Sequence, residues 1–194
     1  MAGRALVREY NELAAERILD VAARLFVEHG VACVGMGDVA RAAGCSRATL
    51  YRYFDGREAL RIAYVHREAR RLERELAAHA ATIRDPADRV VEAVLETLRR
   101  VRRDPALAGW FAPDDVGIAS VLAQSSAVIE GMVAAFLGDR GAPDTIRRAR
   151  WLLRVVLSLL AMPGADEREE RAMIEEFVAP VVVPRRAAPR RRAR

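Results

Sequence analysis

The sequence predicts an all-α protein of about nine helices, on three observations. Ala, Leu, Arg and Glu are abundant while the 194 residues include only 12 Gly and 6% aromatics, a balance that favours helix throughout. No stretch alternates apolar and polar residues for long enough to predict a sheet. Asp-Pro, Pro-Asp and Gly signals cut the chain into helix-length pieces. With 52% hydrophobic residues it can build a substantial core, as one large or two small domains.

Residues 1–10, with Arg4 and Arg8, read as a flexible arm. The first helix is expected from about Asn11 to Glu28, where Ile18, Val21, Ala22, Leu25 and Phe26 form one apolar stripe, and Gly30 ends it. A second helix spans about Met36 to Ala43. It opens after Gly35, which can serve as N-cap, and Asp38 in its first turn suits the positive helix end. Gly44 can take a left-handed turn and Ser46 can cap a third helix running to Tyr53, which makes a helix-turn-helix joint. Asp55-Gly56 breaks the chain before a long fourth helix, about Arg57 to Ala81, that links two domains.

Asp85-Pro86, N-cap then Pro at the first helical position, starts a fifth helix carrying Val90, Val91, Val94, Leu95 and Leu98. Asp104-Pro105 repeats the signal for a short helix with Leu107, Trp110 and Phe111. Pro113 with Asp114 and Asp115 opens a seventh helix that reaches Gly138, and Pro143-Asp144 an eighth. From Trp151 to Met162 that eighth helix is apolar almost all round, so a second copy of the chain is expected to cover the side its own bundle leaves bare. Arg154 within it needs a carboxylate partner if desolvated. A ninth helix, about Asp166 to Val178, adds Met173, Ile174 and Phe177, and residues 184–194 form an Arg-rich tail without periodicity, expected to be disordered.

Leu50 and Phe54 fall on one face of the third helix, which leaves Ala48 and Arg52 outward, Thr49 and Tyr51 on the flanks, and Arg47 able to reach past them. That outward surface is small, cationic and hydroxyl-bearing, as a DNA major groove requires. Residues 11 to about 62 resemble the DNA-binding domain of the TetR family of bacterial transcriptional regulators. The likeness runs through Ile18, Ala22, Phe26, Gly30, Val39, Ala40, Gly44, Ser46, Thr49, Leu50, Tyr51, Tyr53, Phe54, Glu58 and Leu60. It implies that Arg47 and Ala48 face bases, that Ser46, Thr49, Tyr51, Arg52 and Tyr53 lie near bases or phosphates, and that Arg57 meets phosphate where the family usually has lysine. Gly35 stands where the family often has a hydroxyl residue, which puts one phosphate contact in doubt. The resemblance further implies residues 11–56 as the DNA-binding domain and 57–183 as a ligand-binding and dimerisation domain. Trp151, Arg154, Val155, Ser158, Leu159, Met162, Met173 and Phe177 would form a four-helix dimer interface.

The formal charge is +5, but six arginines between 185 and 194 supply more than that, so the rest of the chain sums to 5 − 6 = −1. Local charge is the better guide: Arg41, Arg47, Arg52 and Arg57 against Asp55 give 4 − 1 = +3 around the proposed groove face. Candidate effector-pocket residues are Trp110, Phe111, Leu122, Val128 and Met132 as apolar walls, types that serve equally as ordinary core, with Thr97 and Gln124 as polar anchors. No cofactor and no metal is expected: His29, His66 and His79 are dispersed, and Cys33 and Cys45, read as small buried hydrophobes, form no metal-spaced pair. Ser125-Ser126 has no His nearby in sequence, and no phosphate loop is present, so an enzyme is not expected. Without a secretory or membrane-spanning segment, the chain reads as cytoplasmic. The expected function is a ligand-responsive repressor, a homodimer on a palindromic operator in double-stranded DNA, with an unknown, apolar small-molecule effector. The alternative is a weakly specific DNA-packaging protein without an effector, in which the Arg tail dominates.

Overall fold

The computed structural model describes residues 2–111, 126–138 and 143–183, and every regular element among them is helical. In chain order these are α1 (Ala2–His29), α2 (Met36–Ala42), α3 (Arg47–Tyr53), α4 (Gly56–Ala80), α5 (Pro86–Arg103), α6 (Pro105–Ala108), α7 (Ala127–Leu137), α8 (Pro143–Ala161), α9 (Glu167–Met173) and α10 (Ala179–Val182). A 3₁₀ turn, Gly109–Phe111, follows α6, and a π turn, Ile174–Val178, joins α9 to α10.

The helix ends follow from local chemistry. Gly30 and Gly44 take φ of 80° and 66°, the left-handed region in which a side chain is strained. The Gly44 turn lets Cys45 N–H donate to Ala40 O at 3.0 Å and hands the chain to Ser46, whose Oγ accepts Thr49 N–H at 3.0 Å. Asp38 Oδ2 accepts the backbone N–H of Gly35 at 3.1 Å, so α2 is closed from within its own first turn. Asp85, Asp104 and Asp166 each cap the helix that follows, accepting N–H groups of Ala87, Ala106 and Glu169 at 2.8, 2.9 and 2.8 Å.

By its contacts the chain divides into two compact units. The first holds residues up to Leu72 together with the described part of 100–126. Its core gathers Ile18, Leu19, Ala22 and Phe26 of α1, Val39 and Ala40 of α2, Leu50 of α3, and Leu60 and Tyr64 of α4. Trp110 completes it, edge-on to Phe26 at 5.4 Å and stacked on Tyr64 at 5.5 Å between ring centroids. The sequence drew the border of the helix-turn-helix domain at residue 56; this unit reaches across it because Phe26 and Tyr64 need a cover that the first three helices do not supply.

The second unit holds residues 73–99 and the described residues from Ala127 onward. Val90, Val91, Val94, Leu95 and Leu98 of α5 are buried as their spacing predicts, as are Leu152, Leu157 and Leu160 of α8 and Ile174, Val178 and Val182 beyond α9. Arg171 of α9 donates to Glu92 of α5 at 2.7 Å, and Arg99 reaches Glu167 at 3.2 Å and pairs with Glu96, so charged groups lace α5 to α9 at the rim of this core.

Several expectations change. Helix α1 begins at Ala2, so residues expected as an arm are helical; Ala, Leu, Arg and Glu there give a helix nothing to stop it. Of the helix expected from Pro113 to Gly138, α7 supplies Ala127–Leu137, Ser126 is non-helical, and residues 112–125 lie outside the described ones. The Arg-rich tail, 184–194, lies outside them too. The ninth helix widens into a π turn two residues before Pro180, which has no N–H for the carbonyl four residues back. Cys33 is exposed and Cys45 half-buried, because both lie in turns where only one side of the chain meets the core.

Candidate nucleic-acid interface

Helix α3 is anchored by its inward residues. Leu50 is fully buried and Phe54 nearly so, which fixes the opposite face toward solvent. Ser46, Arg47, Ala48, Tyr51 and Arg52 are exposed there, and Thr49 and Tyr53 are half-buried. The structure therefore brings seven of the eight residues expected to meet DNA onto one short helix and its cap. The hydroxyls of Ser46 and Thr49 bond each other at 2.9 Å, which holds both at the head of the helix.

Arg57, the eighth, is exposed on the first turn of α4, where its Nη1 donates to the carbonyl of Ala32 at 3.2 Å. One turn on, Arg61 is buried and its Nη2 donates to the carbonyl of Val31. These two guanidiniums pin the loop between α1 and α2 to α4. Arg41, counted from the sequence as free positive charge, lies 3.5 Å from Asp38, an exposed pair of little energy.

Arg67 clamps α4 to α1. It donates to Asp20 at 2.8 Å, to Glu16 at 3.4 Å and to buried Glu68 at 2.8 Å, and its guanidinium lies over the Tyr64 ring at 5.3 Å. Although burial opposes its charge, the neighbouring carboxylates raise its pKa further, so it stays cationic. Burial pushes the Tyr64 phenol up, which keeps its hydroxyl neutral beneath that charge. Partners about fifty residues apart gave the sequence no signal for this clamp.

The effector candidates divide between the two units, and two of them fall outside the described residues. Trp110 is core of the first unit, and Phe111 packs against the same cluster. Thr97, Val128 and Met132 belong to the second unit, and the Thr97 hydroxyl is taken by its own helix, donating to Ala93 O at 2.7 Å. Leu122 and Gln124 lie outside the described residues. A polar contact missed from the sequence is that of His66 Nε2 with Ser126 Oγ at 2.6 Å, which supplies the histidine neighbour that Ser126 lacks in the linear chain. Burial, and then Arg70, lower the His66 pKa.

On the second unit seven of the eight residues expected at a dimer interface line one groove, and Met162 is not among its lining residues. Trp151, Arg154, Val155, Ser158 and Leu159 of α8 face Met173 and Phe177 across an apolar groove of ≈ 370 Å³. Met162 is 70%, Phe177 61% and Trp151 45% exposed, large side chains that a solitary bundle rarely leaves in water. Arg154 lines this groove and is exposed in the single chain, with no ion pair among the described residues.

Comparison with known proteins decides the family. The family model for bacterial regulatory proteins of the tetR family matches residues 18–64. An uncharacterized HTH-type transcriptional regulator of Mycobacterium tuberculosis is 55% identical over 184 residues, covering 93% of this chain and 91% of that protein. The chain belongs to the TetR family. Like other TetR proteins it is a DNA-binding transcriptional regulator of helix-turn-helix type. The TetR family repressor AlkX from Dietzia, implicated in biodegradation of n-alkanes, is 25% identical with a TM-score of 0.65 over 87% of this chain and 94% of its own. FadR from Bacillus subtilis, solved with stearoyl-CoA, shares the fold at 12% identity and a TM-score of 0.56, over 85% of this chain and 97% of its own. Among the described residues no helix is long and apolar enough to cross a membrane.

Proposed function

We propose that the protein is a ligand-responsive repressor that acts as a homodimer on a palindromic operator. The observation that carries this reading is the pairing of a solvent-facing α3 with the bare apolar strip of Trp151, Met162, Met173 and Phe177. One surface asks for a major groove and the other for a second copy of itself, and two-fold symmetry then places two copies of α3 in successive grooves, about 34–36 Å apart. Ser46, Arg47, Ala48, Thr49, Tyr51, Arg52 and Tyr53 serve the bases and nearby phosphates, and Arg57 a phosphate beside them.

The effector is an apolar small molecule whose binding shifts α4, the helix that carries the clamp onto α1. Likeness to AlkX, a repressor implicated in n-alkane degradation, supports both the sign of regulation and an apolar effector class. Coupling requires that the effector prefer one of the two states. The test is selection of bound duplexes from random DNA at near-physiological salt, with sedimentation of the free protein alongside. A palindromic motif bound by a dimer supports the proposal. Uniform, steeply salt-dependent binding without a motif would support packaging through the Arg tail instead.

A further inference from the structure

Arg47 opens α3 and is exposed, with no hydrogen bond or ion pair among the described residues, so its five N–H donors are uncommitted. Its guanidinium is nevertheless seated. It lies against Gly37 of α2 so closely that a Cβ on that glycine would be 2.5 Å from Nη2, 3.1 Å from Cζ and 3.2 Å from Nε. A methyl at position 37 and this guanidinium cannot occupy their places together.

Nothing else at position 37 asks for glycine. Its φ is not in the left-handed region, it sits inside a helix, and apart from proline glycine is the least helix-favouring residue. The obstructing atoms all belong to the far end of one flexible side chain, so a Cβ there moves the guanidinium and leaves the fold intact.

We infer that Gly37 is a specificity-determining residue: its bare Cα seats the Arg47 guanidinium between α2 and α3 and aims that planar fork at a guanine edge. This rests on the reading of α3 as the base-contacting helix. A guanidinium discriminates guanine through two parallel N–H bonds to O6 and N7, which need the fork fixed in orientation. A seat on a bare backbone restricts the rotamers of a long side chain before DNA arrives, without spending any of its donors.

The test compares the full chain with Gly37→Ala, Gly37→Ser, Arg47→Ala and the Gly37→Ala/Arg47→Ala double variant, each in selection from random duplexes and in affinity for single-base changes of the parental site. The parent is expected to select one guanine per half-site, and Arg47→Ala to lose that preference by about tenfold. Both Gly37 variants lose the same preference at the same position, melt no lower than the parent by circular dichroism, and the double variant loses nothing beyond Arg47→Ala alone. Gly37 variants that keep a guanine preference which Arg47→Ala loses overturn the inference, as does a double variant whose losses add. Gly37→Ser brings the same Cβ with a different helix propensity, so parental preference in that variant overturns the inference even where Gly37→Ala misfolds. If Arg47→Ala itself keeps the parental preference, the base-contact reading fails first and the role of Gly37 with it.

Discussion

Trp110 offers the sharpest test of how the DNA-binding unit is held together. It is 2% exposed, stacked on Tyr64 and edge-on to Phe26, and its indole Nε1 finds no hydrogen-bond partner among the described residues. Trp110→Ala removes the whole ring system and leaves a cavity bounded by two other aromatic rings, which costs about 3–5 kcal/mol. Trp110→Phe acts differently. Trimming the bicycle loses on the order of 2 kcal/mol of apolar burial, while removing a buried unpaired N–H returns about 1–3 kcal/mol. The Phe variant is therefore close to neutral and the Ala variant severe. Urea unfolding followed by far-UV circular dichroism, with operator affinity measured on the same preparations, gives both numbers. A loss below about 1 kcal/mol for Trp110→Ala, with DNA binding intact, would refute the claim that the helix-turn-helix core extends to this residue.

Three further outcomes follow from the geometry. Arg57→Ala is expected to weaken every duplex alike and to lower the slope of log Kobs against log salt by about one, as loss of the proposed phosphate contact requires; a change in base preference would place Arg57 at a base edge. Phe177→Glu puts a charge in the apolar groove and shifts the protein toward monomer in sedimentation, with chain stability changed by no more than about 0.5 kcal/mol because the residue is exposed; an unchanged dimer would move the interface elsewhere. Burial and Arg70 hold His66 below its ordinary 6.5, so the unfolded chain binds that proton more readily than the folded one. Its contribution to stability is thus complete above about pH 6.5 and lost as pH falls through the folded-state pKa, and His66→Gln should flatten that part of the pH–stability profile.

The features legible in the sequence were those whose causes lie within one turn of chain. Gly44, Ser46, Asp85, Asp104 and Asp166 each act on a neighbour no more than five residues away, so turn and cap chemistry places them. The inward faces of α3 and α5 were legible for a related reason, since Leu50 with Phe54, and Val90, Val94 and Val101, repeat at helical spacing. What stayed hidden depends on chain folding back over long separations. Trp110 reads equally as pocket wall or core until Phe26 and Tyr64 are seen against it, and Arg67 declares its partners only once α1 lies beside α4. His66 and Ser126 are 60 positions apart in the chain, and no periodicity connects them. Arg47 was legible as a cation on the outward face, whereas its seat on Gly37 required the angle between two helices.

The place of Trp110 also bears on the order in which the protein is made. The helix-turn-helix is complete as a sequence when Tyr64 has been added, but the ring that covers Phe26 and Tyr64 comes 110 − 64 = 46 residues later. At synthesis rates of about 5–20 residues per second that is a wait of roughly 2–9 s, during which two large aromatic rings at the heart of the reading head stand open to water. The head therefore completes its core only after synthesis has passed the second Asp-Pro boundary, Asp104-Pro105, and added Trp110.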